Sequence, residues 1–174
     1  DGMLVTDHDS YKGYRQWKET RIADSEDDFV VLEGVEYDTK DAGHFLVIMP
    51  NEVHLRVLQI RGMEIETLIQ VVHHFGGILG PAHPFGVKSS SAMFFKKIRK
   101  NPDIFYEFDF VEGFNTCESI QSNQIAQLMA SRYGKPCIGG SDSHTEQYVG
   151  MAFTEFDADI RCNDHLIKAI RQRR

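Results

Sequence analysis

Gly139-Gly140-Ser141-Asp142-Ser143-His144 follows Lys135-Pro136-Cys137-Ile138, a short apolar run with the character of a buried strand. Residues i and i+2 of an extended segment share a face. Asp142 and His144 are therefore expected to project together from the C-terminal end of that strand, where a carboxylate and an imidazole suit one metal ion or two neighbouring ions. Alone the signal is weak. Three other apolar runs end in the same way: Met3-Leu4-Val5 before Thr6-Asp7-His8, Val30-Val31-Leu32 before Glu33-Gly34-Val35-Glu36, and Ile78-Leu79-Gly80 before Pro81-Ala82-His83-Pro84.

Outward from these stretches, strands alternate with helical patterns. Gly2 to His8, Phe29 to Leu32, Phe45 to Met49, Ile78 to Gly80, Phe108 to Phe114 and Gly150 to Phe156 read as strands. Asp24 to Asp28 reads as a solvated turn, and Asp41-Ala42-Gly43 as turn chemistry. Tyr11 to Ile22 has a weak helical pattern. Glu64 to Phe75 has a strong one, with Ile65, Leu68, Ile69, Val72 and Phe75 on one face and Gly76-Gly77 as its stop. Ser89 to Ile98, Gln121 to Tyr133 (apolar face Ile125, Leu128, Met129) and Asp164 to Arg173 complete the set. This alternation predicts a parallel α/β sheet or barrel, with its active site at the C-terminal ends of the strands.

The 174 residues suffice for one domain with a sizeable core. A net charge of -7 argues against an extended nucleic-acid surface. No apolar run is long enough to span a membrane. The three cysteines, Cys117, Cys137 and Cys162, have no CxxC spacing and point to free thiols in a reducing compartment, hence the cytoplasm.

The candidate ligands are His8, Glu36, His44, His83, Asp142 and His144. Imidazole and carboxylate without thiolate suit Zn, Mn or Fe. Any one strand-end histidine is more often an ordinary hydrogen-bonded residue, but six such groups at or near strand ends are hard to assign to chance. Asp7 reads as a group that orients His8 or, equally, as a turn residue. Glu33 reads as a turn carboxylate. Glu112 and Asn115 end the fifth strand and either face the pocket or are simply solvated. Lys88 with Ser89 to Ser91, and Arg61 before the long helix, are candidate phosphate contacts, against the plainer reading of a helix cap. His73 and His74 read as structural, His54 and His165 as exposed, and Cys117 as a buried thiol.

Thr6-Asp7-His8-Asp9, Gly34-Val35-Glu36, Gly43-His44, Ala82-His83-Pro84 and Gly140-Ser141-Asp142-Ser143-His144 together resemble, in order, the motifs of the PHP family, named for polymerase and histidinol phosphatase. The resemblance implies a distorted TIM-like (β/α)7 barrel, a single domain over 1–174, and a phosphoesterase site with two or three divalent ions (Mn, Zn or Fe). It implies that Glu36 bridges ions, that His44 and His83 complete one shell, that His8 and His144 bind a second ion, and that Asp142 helps hold a third. The family opens with a His-x-His motif, followed by Ser-Asp-Gly. Nothing here matches that opening, so the expectation is an N-terminally incomplete barrel whose first strand and helix lie upstream of Asp1.

The function this implies is hydrolysis of a small phosphate ester (a nucleotide, a sugar phosphate or an oligonucleotide end) by a metal-activated water. Asp142 or a neighbouring histidine would move the proton, Asp7 is the other catalytic candidate, and Lys88, Arg61 and Asn115 would contact substrate. Two alternatives stand beside it: an amidohydrolase-like reaction at a carbonyl, with the same ligands, and a degenerate barrel that binds metal without turnover.

Overall fold

The structure, a computed structural model, describes residues 1–20, 28–87 and 90–173. The fold is mixed α/β. Strands β1 (Gly2–Val5) and β2 (Val30–Glu33) pair in parallel across helix α1 (Lys12–Thr20). The chain then breaks at Gly34, whose N–H donates to Val5 O at 2.8 Å. It continues as β3 (Val35–Thr39) and turns back into β4 (Gly43–Ile48). Only three residues separate β3 from β4. That is enough for a hairpin and far too few for a parallel crossover, which needs a dozen or more. Gly43 takes φ +79° at the turn, a conformation suited to glycine.

Strand β5 (Ile78–Pro81) also runs antiparallel to β4. Between them lies helix α2 (Ile65–His74). Farther on, β6 (Val111–Asn115) and β7 (Cys137–Gly140) pair in parallel across helix α4 (Ile120–Arg132), after the short helix α3 (Lys96–Lys100). Helix α5 (Asn163–Gln172) closes the described chain. Among the described residues the strands form three separate sheets, of two, three and two strands, and no closed barrel. The expectation of a parallel sheet is corrected for β3, β4 and β5, which form an antiparallel meander.

Strand β4 organises the core because its alternate residues face opposite ways. Phe45 and Val47 join a cluster with Tyr37, Leu58, Phe105 and Phe108, packed on Ile65, Leu68 and Val72 of α2. Leu46 and Ile48 join a second cluster with Ile78, Phe110 and Leu166, Ile167 and Ile170 of α5. Each buried Leu, Ile or Phe contributes about 1.5–3 kcal/mol, so the meander is fixed from both faces. A Cβ on Gly80 would collide with the Phe110 backbone, which lets β5 approach the β6 segment. Asp109 N donates to Leu79 O at 2.9 Å across the same join.

Several sequence expectations are corrected. Gly150 to Phe156 forms no strand, and Phe153 is 80% exposed. Ser90 to Ile98 is a 3₁₀ turn at Ala92–Phe94 followed by α3, not one helix. Phe75 lies past the end of α2 and is exposed. Residues 24–27 of the acidic turn lie outside the described residues, while Asp28 is exposed. In α4 two of the three expected apolar residues, Ile125 and Leu128, are turned outward, while Met129 is partly buried against the first cluster and the buried face carries Ser122, Asn123, Ala126 and Ala130. The reason is polar. Asn123 accepts from Asn115 N and donates to Asn115 O, both at 3.0 Å, and Gln127 donates to Gly113 O. These bonds fix α4 to the irregular backbone of β6 through its amide side chains. No helix among the described residues is long and apolar enough to cross a membrane.

Candidate metal centre

Glu36 is the middle of the site. It lies on β3, and its backbone pairs with Leu46 of β4 on one side and, through an isolated bridge, with His8 on the other. Its carboxylate is buried beneath a row of imidazoles. His83 Nε2 donates to Glu36 Oε1 at 2.9 Å, His44 Nδ1 lies 3.0 Å from the same oxygen, and His8 Nε2 lies 3.8 Å from Oε2. The rings follow one another, with centroids 5.4 Å apart for His83 and His44, 4.9 Å for His44 and His8, and 6.2 Å for His8 and His144.

Burial alone would push the Glu36 carboxyl up, but the close approach of His44 and His83 and the charge of His8 outweigh it. The group is held at about 2 and is ionised throughout the neutral range. Burial pulls His83 down, and the contact with Glu36 overrides it with help from Glu112 and Asp142, so His83 titrates above an ordinary histidine.

One feature of this cluster tests its fitness for metal. His44 Nδ1 is buried and makes no hydrogen bond, although Glu36 Oε1 is 3.0 Å away. The ring nitrogen and the carboxylate approach closely without the angle of a donor and acceptor. With Nδ1 unprotonated, a ring nitrogen and a carboxylate oxygen so placed fit a shared cation. One nitrogen or oxygen from each of His8, Glu36 and His44 lies within 4.8 Å of the others. This N/O donor set suits Zn, Mn or Fe, so the residues fit the group the sequence implies.

The backbone at the site is strained in three places. Asp9, His83 and Asp142 have φ of 47°, 30° and 48°, positions that non-glycine residues occupy at a cost of about 1–3 kcal/mol. His83 is held there by its own N–H, which donates to Glu112 Oε2 at 2.6 Å, and by Ser91 Oγ, 3.1 Å from Nδ1. Glu112 is wholly buried, and burial raises it to about 7 against the N–H groups of His83 and Asn115 that favour its charge. Asn115 Nδ2 donates to Glu112 at 3.1 Å and to Asp142 Oδ2 at 3.2 Å. This bond ties Asp142, on the loop after β7, to the floor of the site.

His144 is the outlying member. Its side chain is 72% exposed, and its Nδ1 lies 3.0 Å from Asp142 O and 3.7 Å from Asp142 Oδ1. The structure thus brings His8, Glu36, His44 and His83 into one group, with Asp142 joined through Asn115 and His144 at the rim. Asp7 stands apart in role: its Oδ2 accepts from Gly13 N at 2.6 Å and holds the start of α1 rather than His8. Arg61 lies at the edge, 3.3 Å from Asp9 Oδ2 and 3.5 Å from Asp38 Oδ2. Lys88 falls outside the described residues. Glu33 pairs with the exposed His54 at 2.6 Å, and His73 with Asp109 at 2.9 Å. Cys117, expected to be buried, is exposed, with Sγ 3.5 Å from Asp142 O.

Sequence reasoning undervalued Glu112 and did not find Asp9 or Asp38. The signal for Glu112 was its place at a strand end; a buried carboxylate two strands from its partners leaves no spacing pattern.

A search of curated proteins finds no match. Among solved structures, the fold is similar to PsfC from Pseudomonas syringae PB-5123 (TM-score 0.72, 18% identity, covering 98% of this chain and 75% of that one). It is similar to a candidate metal-dependent phosphoesterase from Bifidobacterium adolescentis (TM-score 0.65, 12% identity, 97% and 84%). It is also similar to Endonuclease Q, solved with a duplex carrying an abasic lesion at its active site (TM-score 0.61, 17% identity, 97% and 48%), of whose length this chain spans about half. A family model described as PHP-associated matches residues 121–174. The family match over 121–174 takes in Gly140-Ser141-Asp142-Ser143-His144, one of the five motifs that resemble the PHP family, and over nearly the whole chain the likeness to the solved structures is one of fold.

Proposed function

We propose that this chain is a metal-dependent phosphoesterase acting on a small phosphate ester. The observation that carries the reading is the ionised, buried Glu36 beneath His8, His44 and His83, with one buried imidazole nitrogen aimed at it and unbonded. Divalent ions bound there would make water a better nucleophile at neutral pH and offset charge on the phosphoryl oxygens.

The protein's own groups divide the remaining work. Glu36, His44 and His83 would hold one ion, and His8 and His144 would hold a second on the other side of Glu36. Asp142, tethered by Asn115, stands where a third ligand or a proton carrier is needed. Arg61, 68% exposed, keeps guanidinium N–H groups for an anionic substrate at the rim. Asn115 acts through Asp142, and Lys88, five positions after His83 in the sequence, is the other candidate phosphate contact. We take 1–174 as one domain and its strands as a distorted TIM-like barrel, and place the protein in the cytoplasm. The net charge of -7 favours a nucleotide, sugar phosphate or oligonucleotide end over a long duplex.

The test is a panel of phosphate monoesters and diesters beside amides, run with Mn, Zn and Fe in turn. Turnover of a phosphate ester that is absent in Glu36→Gln is the expected result. Hydrolysis of amides alone would replace the reading with an amidohydrolase. No turnover of either class by a metal-loaded chain would leave a metal-binding barrel without catalysis.

A further inference from the structure

The two ring nitrogens of His44 face different carboxylates. Nδ1 faces Glu36 at 3.0 Å, and Nε2 lies 3.7 Å from Asp38 Oδ1, within ion-pair range though longer than a hydrogen bond. Asp38 is two residues beyond Glu36 on β3 and sits directly across from His44 in the strand register. Its surroundings are built rather than incidental. Its backbone N–H donates to Asp9 Oδ1 at 2.9 Å, and its carbonyl accepts from Gly62 N at 2.9 Å. The flanking Tyr37 hydroxyl donates to Ile60 O at 2.6 Å and accepts from Met63 N at 3.0 Å.

These bonds pin the 60–63 turn to β3 and set Arg61 between two carboxylates, 3.3 Å from Asp9 Oδ2 and 3.5 Å from Asp38 Oδ2. Asp9 is the deeper of the two. Its side chain is only 7% exposed, and its Oδ2 makes no hydrogen bond, so its charge is answered through the ion pair with Arg61.

A histidine that binds metal through one nitrogen usually donates its other N–H to a carboxylate, which fixes the tautomer and the plane of the ring. We propose that Asp38, steadied by Arg61 and Asp9, is the positioning residue of His44: it keeps the proton on Nε2 by accepting from that N–H and thereby leaves Nδ1 as the nitrogen that meets the ion beside Glu36. This rests on the metal-centre reading above and adds to it the direction in which His44 binds. Asp38 acts through His44 and is not itself a ligand.

The test is nitrogen-15 NMR of histidine-labelled protein titrated with zinc, beside Asp38→Asn and Arg61→Ala. In the wild type, the His44 resonances are expected to report zinc on Nδ1 and a proton on Nε2. Asp38→Asn should weaken zinc binding about 10–100-fold while the metal-free melting temperature stays close to wild type. Arg61→Ala, at an exposed side chain, should weaken it a few-fold and serves as the reading should Asp38→Asn fail to fold. Zinc on Nε2 of His44, or unchanged zinc affinity in Asp38→Asn, would overturn the proposal and leave the metal centre standing. A wild-type chain that takes up no zinc would overturn both.

Discussion

Glu36, His44 and His83 stand on or at the ends of strands locked between two hydrophobic clusters, whereas Asp142 and His144 stand on an exposed loop after β7. The side chains are 8%, 15% and 3% exposed in the first group, and 16% and 72% in the second. The first group already makes close mutual contacts. In the second, the Asp142 carboxylate is tied in by Asn115, and the His144 nitrogen nearest a partner lies against Asp142 of its own loop, with the His8 ring 6.2 Å away. Side chains on packed strands keep their geometry through the core, while side chains on a loop are held less precisely. The strand half should therefore govern both folding and metal retention, and the loop half metal retention alone.

The most severe break is Glu36→Ala. It leaves three imidazoles converging on a buried gap and should cost about 3–5 kcal/mol, as expected when one partner of a buried pair is removed. Denaturant unfolding measures the loss, and bound metal should fall below detection.

The pH dependence of the metal-free protein is the next test, because the strand half contains two carboxyls shifted in opposite directions. Glu112 is raised from 4.5 to about 7 by burial. The folded state keeps a proton that the unfolded chain gives up between these values. Its contribution is complete below pH 4.5 and is lost as pH rises to about 7, on the order of a few kcal/mol. Glu36 is lowered to about 2, so its contribution is complete above pH 4.5 and lost as pH falls toward 2. Metal-free melting temperatures should decline on both sides of the mildly acidic range. Glu112→Gln should flatten the neutral side and leave the acid side intact.

The comparison sharpens with a matched pair. His83→Ala should destabilise the metal-free chain by about 2 kcal/mol, since it unseats a buried ring hydrogen-bonded to Glu36. His144→Ala should stay within ~0.5 kcal/mol of wild type, yet both should lose metal affinity by tenfold or more. Equal destabilisation by the two would erase the distinction between the halves. The smallest effects concern α4. Asn123→Ala should cost about 1 kcal/mol by freeing both backbone groups of Asn115, and Leu128→Gln, on the exposed face, within ~0.5 kcal/mol. Thermal unfolding of the two variants ranks them.

That last pair also shows where the sequence misleads. Helix α2 is legible because its apolar stripe is buried by ordinary hydrophobic packing. Helix α4 has a recognisable extent, but its docking face is chosen by Asn123 and Gln127 bonding an irregular strand, and hydrophobic periodicity carries no trace of that. The β3 to β4 reversal was announced by Asp41-Ala42-Gly43, yet the expectation of parallel strands hid its meaning. At the site, strand-end positions were enough to single out Glu36, His44 and His83. Asp38, Asp9 and Glu112 support them across strands, through pairings that exist only once the chain has folded.

The central claim is that the strand half of the cluster holds metal, and elemental mass spectrometry of the purified chain beside His83→Ala tests it most directly. The account expects bound Mn, Fe or Zn in the wild type and a clear fall in the variant. A wild-type chain that remains metal-free after reconstitution would contradict it.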